Sequence, residues 1–174
     1  MMLGTAGSLP QGTTVAGPFS HAQMLPDQCV SCHAGTDGAG IENTGHDFKM
    51  ASYGVCLECH PFPELLTDLV QGEFSVNVSY LKTALDNWAL TKAPESLRSK
   101  YGARAWEYTS PGSLSPGGPG PSKADQELVP EEIKKARFNI YLVLYDGSLG
   151  VHNPTHTARL LKAAEDYIKA AMNL

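Results

Sequence analysis

All four cysteines of the chain lie in two copies of one pentapeptide pattern, Cys29-Val30-Ser31-Cys32-His33 and Cys56-Leu57-Glu58-Cys59-His60. No other feature restricts the fold as strongly. C-x-x-C-H is the signature of covalent c-type haem attachment. Two thiols add across the two vinyl groups of one porphyrin, and the adjacent imidazole is held beneath the ring as the proximal iron ligand. With only residues 34–55 between them, two such sites are expected to lie close together.

A structural zinc site also uses C-x2-C pairs, four thiolates closing a tetrahedron. It has no use for a histidine directly after each second cysteine. With six histidines in 174 residues, chance places one at both positions with a probability on the order of 0.001. A disulfide explains a C-x-x-C pair but not the repeated histidine. The expectation is therefore two haems c on Cys29, Cys32, Cys56 and Cys59, with His33 and His60 as proximal ligands. A zinc-bound interaction module is the remote alternative.

Charged residues make up 18% of the chain and the net charge is −5, so no basic surface for nucleic acid is expected. Haem propionates would add negative charge, which suits a positively charged docking partner. No apolar run approaches the roughly 20 residues needed to span a bilayer. Residues 1–8 lack the basic and apolar regions of a secretory signal. Because c-type haem attachment implies a site outside the cytoplasm, the expected chain is a mature or partial one, periplasmic, cell-surface or extracellular.

Seventeen glycines and twelve prolines predict long irregular segments. Residues 1–18 read as an extended arm. A short helix is expected over 61–70, with Leu65, Leu66 and Leu69 on one face, and a second over 77–92, where Val78, Leu81, Leu85 and Trp88 recur at helical spacing. Residues 97–108 read as helical, interrupted at Gly102, with Tyr101, Trp106 and Tyr108 either packing in the core or shielding haem edges. The Pro/Gly run 110–123 forms a linker. It separates a haem-attachment region, 1–109, from a C-terminal part, 124–174.

In that C-terminal part, Ile133, Ala136, Ile140, Val143 and Leu144 form a stripe over 131–145, stopped by Asp146-Gly147. Asn153 and Pro154 have the residue types of an N-cap and first helical position. Leu160, Leu161, Ala164, Tyr167, Ile168 and Ala171 make the next buried face. The expected fold is mostly α, with few helices, long irregular loops wrapped around two covalent haems, and a C-terminal helical hairpin whose tight connection holds His152.

Phe19-Ser20-His21-Ala22-Gln23-Met24, shortly before Cys29, resembles the entry segment of small multihaem cytochromes of the cytochrome c3 kind. Histidines ligate haem there at the positions of His21 and Met24. The resemblance implies His21 as an axial ligand, while Met24 reads as a packing residue, although a thioether can also ligate haem iron. The lone histidine of the spacer, His46 in Gly45-His46-Asp47-Phe48, occupies a place where paired-haem cytochromes commonly hold a ligand to a neighbouring haem.

The segment 136–154, with Asp146-Gly147-Ser148-Leu149-Gly150-Val151-His152-Asn153-Pro154 at its end, together with Leu160-Leu161, resembles the C-terminal region of bacterial and archaeal multihaem c-type cytochromes. In those the histidine of the turn is a distal haem ligand, which implies that role for His152. His156 stands where such relatives often carry an aromatic residue and reads as a packing or hydrogen-bonding histidine. Two haems need two distal ligands, so with His152 in one place, His46 and His21 compete for the other. If all three ligate iron, one serves a haem outside the chain, as in filamentous multihaem cytochromes.

The function expected is electron transfer, with no catalytic residues, through two bis-histidine haems. Other multihaem cytochromes or a membrane quinol-oxidising complex would be partners, and a homo-oligomer or filament is open. The alternative is a haem reductase for nitrite, hydroxylamine or peroxide with one open iron.

Overall fold

The computed structural model describes residues 1, 3–13, 17–25, 27, 29–33, 50, 52–112 and 118–173. The described residues are mostly helical and contain no strand. Six α-helices follow one another: α1 (Ser20–Met24), α2 (Cys29–His33), α3 (Pro63–Thr91), α4 (Glu95–Tyr101), α5 (Glu131–Tyr145) and α6 (Pro154–Met172).

The longest element corrects the sequence expectation. Residues 63–91 form a single 29-residue helix, not two short ones, and at 1.5 Å per residue it spans roughly 43 Å. Nothing between Val70 and Asn77 breaks it. Gly72 is the one poor helix former there, and its cost of about 1 kcal/mol is offset by the apolar face that follows. Val78, Leu81, Leu85 and Trp88 are all buried, as their spacing requires. Pro63 occupies the first turn and Lys92 caps the end just before Pro94.

The expected helix over 97–108 is shorter. It runs from Glu95 to Tyr101, then gives way to a 3-10 turn over Gly102–Arg104. Trp106 behind that turn is buried and donates to Asp86 of α3 at 2.7 Å, so it is a core residue and not a haem shield. Arg137 of α5 donates to the carbonyls of Trp106 and Glu107 at 2.7 and 2.8 Å. Tyr141 donates to the Glu107 carboxylate at 2.7 Å. These bonds satisfy polar groups that burial would otherwise leave costly.

The described residues of 110–123 lie in no helix or strand. At its far end, Asp125 accepts from Lys100 at 2.7 Å and Tyr101 at 2.5 Å. Hydrogen bonds from Lys100, Tyr101 and Ser122 lower the carboxyl to about 2. A 3-10 turn over Asp125–Leu128, which sequence reading missed, leads into α5.

The C-terminal hairpin forms as the caps and stripes predict. Ile133, Ala136, Ile140 and Val143 of α5 are buried against Leu160, Leu161, Ala164 and Ile168 of α6. The Asn153 side chain accepts from the His156 backbone N–H at 3.0 Å, closing the N-cap. Leu81, Leu85 and Trp88 of α3 complete the same core.

The α5–α6 turn is seated on α3. Gln71 donates to the Ser148 carbonyl at 3.2 Å. Gly150 adopts φ +96°, and a Cβ there would fall 2.3 Å from Phe74 Cδ2. Gly150→Ala should therefore cost about 2–4 kcal/mol, combining left-handed backbone strain with overpacking against a buried ring. Urea unfolding measures this, and an unchanged midpoint would mean that the turn is not seated on Phe74.

Candidate haem-attachment site

Each C-x-x-C-H pattern is wound into a helical turn. The first forms α2. In the second, a 3-10 turn over Gly54–Cys56 leads in, and the Cys56 carbonyl accepts from Cys59 and His60 N–H at 3.2 and 2.8 Å. Helical winding places residues i, i+3 and i+4 on one face. Two thiols and one imidazole are thereby directed to the same side of each turn.

All four cysteines are free thiols. Burial, then the neighbouring Cys29, pushes the Cys32 thiol up. Burial, then Cys32, does the same for Cys56. Cys32 of the first motif thus lies near enough to Cys56 of the second to act on it electrostatically.

The histidines pair across the motifs. The His33 and His152 rings have centroids 6.1 Å apart with planes at 80°. Those of His21 and His60 are 5.8 Å apart at 85°. Two imidazole nitrogens each about 2 Å from a shared metal ion place their ring centroids roughly 6 Å apart. Both pairs thus have the span that one iron between two imidazoles needs, and each contains one motif histidine and one from outside the motif. The residues fit the group that their spacing implies.

His21 lies on α1, its ring set edge-on to Phe19 at 5.0 Å. Burial and the charge of His60 lower its affinity for a proton, which favours the neutral, ligating form. Met24 on the same short helix is exposed. His46 lies outside the described residues.

His152 stands in the α5–α6 turn, fixed by Asp146, which the sequence marked only as a helix stop, and by Ser148, to which it gave no role. Its Nδ1 lies 2.9 Å from Asp146 Oδ2, and its backbone N–H donates to Ser148 Oγ at 3.2 Å. Ser148 Oγ–H donates to the same Asp146 carboxylate. Burial pushes the Asp146 carboxyl up, but the hydrogen bonds from His152 and Ser148 together outweigh it and hold the group below its ordinary value. Nε2 is the ring nitrogen that Asp146 does not engage. The signal was present in the Asp-Gly-Ser spacing ahead of His152, since a ligand histidine commonly gives its second N–H to a carboxylate.

Apolar surface surrounds the motifs. Val30, Val55, Leu57, Phe62 and Leu65 are exposed, and a cleft of about 380 Å³ beside the second motif is lined by Tyr53, Leu57, Phe62 and Leu65 among others. Among the described residues, no group of three or more His, Cys, Asp or Glu side chains is placed to hold one metal ion.

The N-terminal arm joins the hairpin to His21. Asn139 of α5 accepts from the Ser8 N–H and donates to its carbonyl, both at 2.7 Å. His156 is fully buried and its Nε2 lies 2.7 Å from the Ala6 carbonyl, so Nε2 carries the proton. This is the hydrogen-bonding role expected of it. The chain matches no protein family, no curated protein and no solved structure.

His156 makes stability depend on pH. Burial lowers its proton affinity, opposed by the bond to Ala6 and reinforced by the Met1 amino group and Arg159. The unfolded chain, with an ordinary histidine near about 6.5, binds the proton more readily than the fold does. The stabilisation is complete above that value and is lost as pH falls through the lowered folded one. His156→Gln should flatten the fall in urea midpoint between about pH 6.5 and pH 5; a slope equal to the parent's would exclude His156 as its source.

Proposed function

We propose that this chain is a dihaem c-type cytochrome that carries electrons between redox partners. Cys29 and Cys32 tether one haem and Cys56 and Cys59 the other. His33 and His152 would hold one iron, and His60 and His21 the other. Bound there, each haem supplies a one-electron iron couple, and ligation by two histidines leaves no open position and a lower potential than Met/His ligation.

The observation that carries this reading is the pairing of each motif histidine with a second imidazole at the span of a single metal ion. Exposed apolar side chains in the cleft beside the second motif, Leu57, Phe62 and Leu65, add support. The two pairs complete two irons within the chain, so no histidine from a neighbouring subunit is required. No helix among the described residues is long and apolar enough to cross a membrane. Attachment of haem c places the chain outside the cytoplasm, with other multihaem cytochromes or a quinol-oxidising complex as its partners.

Produced in a host that attaches c-type haem, the protein should give two haems per chain by the pyridine haemochrome assay. Its electron paramagnetic resonance spectrum should be wholly low-spin. His152→Ala and His21→Ala should each convert one haem, and a different one, to high spin. Lack of a Soret band would point instead to a zinc-bound module. High-spin iron in the unmutated protein would point to a reductase.

A further inference from the structure

The two imidazole pairs differ in what stands behind the ligand that comes from outside the motif. Behind His152 is a carboxylate. Asp146 Oδ2 accepts from His152 Nδ1–H at 2.9 Å, and the Asp146 side chain is 11% exposed, so water screens the contact only in part. Ser148 fixes both members, donating to Asp146 and accepting from the His152 backbone. His21 has another setting. It sits in a five-residue helix with its ring against Phe19 and His60, and among the described residues it forms no ion pair.

A carboxylate drawing on the Nδ1 proton moves electron density through the ring to Nε2. That strengthens the ligand and favours the more highly charged, ferric iron. We propose that Asp146 is a positioning residue that makes the haem between His33 and His152 the lower-potential centre of the pair. This rests on the dihaem reading above. On reduction one electron is gained at iron, supplied by the redox partner, and no covalent bond forms or breaks. Electrons then reside preferentially on the His21–His60 centre, which gives the chain a direction.

The test is a redox titration of the holoprotein followed by optical and paramagnetic resonance spectra. His21→Ala shifts the second haem to high spin and so identifies the low-spin signal that belongs to the first. In the parent protein that signal should follow the lower of two one-electron midpoints. Asp146→Asn should favour reduction at that centre by about tenfold, which is 59 mV for one electron, and leave the upper midpoint in place. Asp146→Glu, which keeps a carboxylate, should return the midpoint toward the parent's, and far-UV dichroism checks that each variant is folded.

Two haems present, with the first titrating at the higher midpoint in the parent, would overturn the proposal even if Asp146→Asn failed to fold. An Asp146→Asn protein with unchanged midpoints would overturn it also. A protein without haem would instead remove the functional reading on which the proposal stands.

Discussion

The seating of the α5–α6 turn on α3 is the contact on which the placement of the histidines depends. Helix α3 starts three residues after His60, and within its first half it carries Gln71, which holds the Ser148 carbonyl, and Phe74, on which Gly150 rests. The second motif and the turn that bears His152 are therefore referred to the same rigid helix. What keeps the hairpin there is a core of Leu81, Leu85 and Trp88 with Ile133, Ile140, Leu160 and Ala164. A fully buried large apolar side chain is worth about 1.5–3 kcal/mol. Several together fix a separation that a loop alone would leave free.

A second connection runs through the N-terminal arm. Residues 131 positions apart, Ser8 and Asn139, are joined by two hydrogen bonds from one amide side chain. Asn153 also reaches the arm, donating toward the Gly17 carbonyl at 3.3 Å while it caps α6. Two residues beyond Gly17 comes Phe19, and then α1 with His21. Polar side chains buried in the hairpin thus fix the segment that delivers the second non-motif histidine.

The hairpin was legible because each of its boundaries has a local chemical cause. Gly147 takes the left-handed conformation just past α5, at φ +76°, and Asn153 and Pro154 open α6, while the stripes between them have one period throughout. The joining of two expected helices into α3 was not legible in the same way. The stretch around Gly72 has weak periodicity, and only tertiary packing decides whether helix continues through it. The described residues of the arm lie in no helix or strand, but its hydrogen bonds to Asn139 and His156 span nearly the whole chain, and no local pattern announces such contacts. Which chain segment passes the second motif was likewise closed to sequence: the structure places His21 beside His60, and His46 lies outside the described residues.

The distribution of burial bears on how such a chain acquires its cofactors. Helices α3 to α6 share a core built wholly of side chains, whereas α1 and α2 bury no residue at all. On the dihaem reading the difference has a physical origin: side chains around the motifs face porphyrin instead of one another. His152 belongs to the self-supporting part, held through Asp146 and Ser148 by bonds that do not involve haem. His21 is held to that part by the arm. On that reading, closing on iron would cost less conformational entropy at His152, which is held through Asp146 and Ser148, than at His21. On the dihaem reading, ligand order set by the polypeptide at one site and by the cofactor at the other would be a further source of inequivalence between the two centres, independent of any charge.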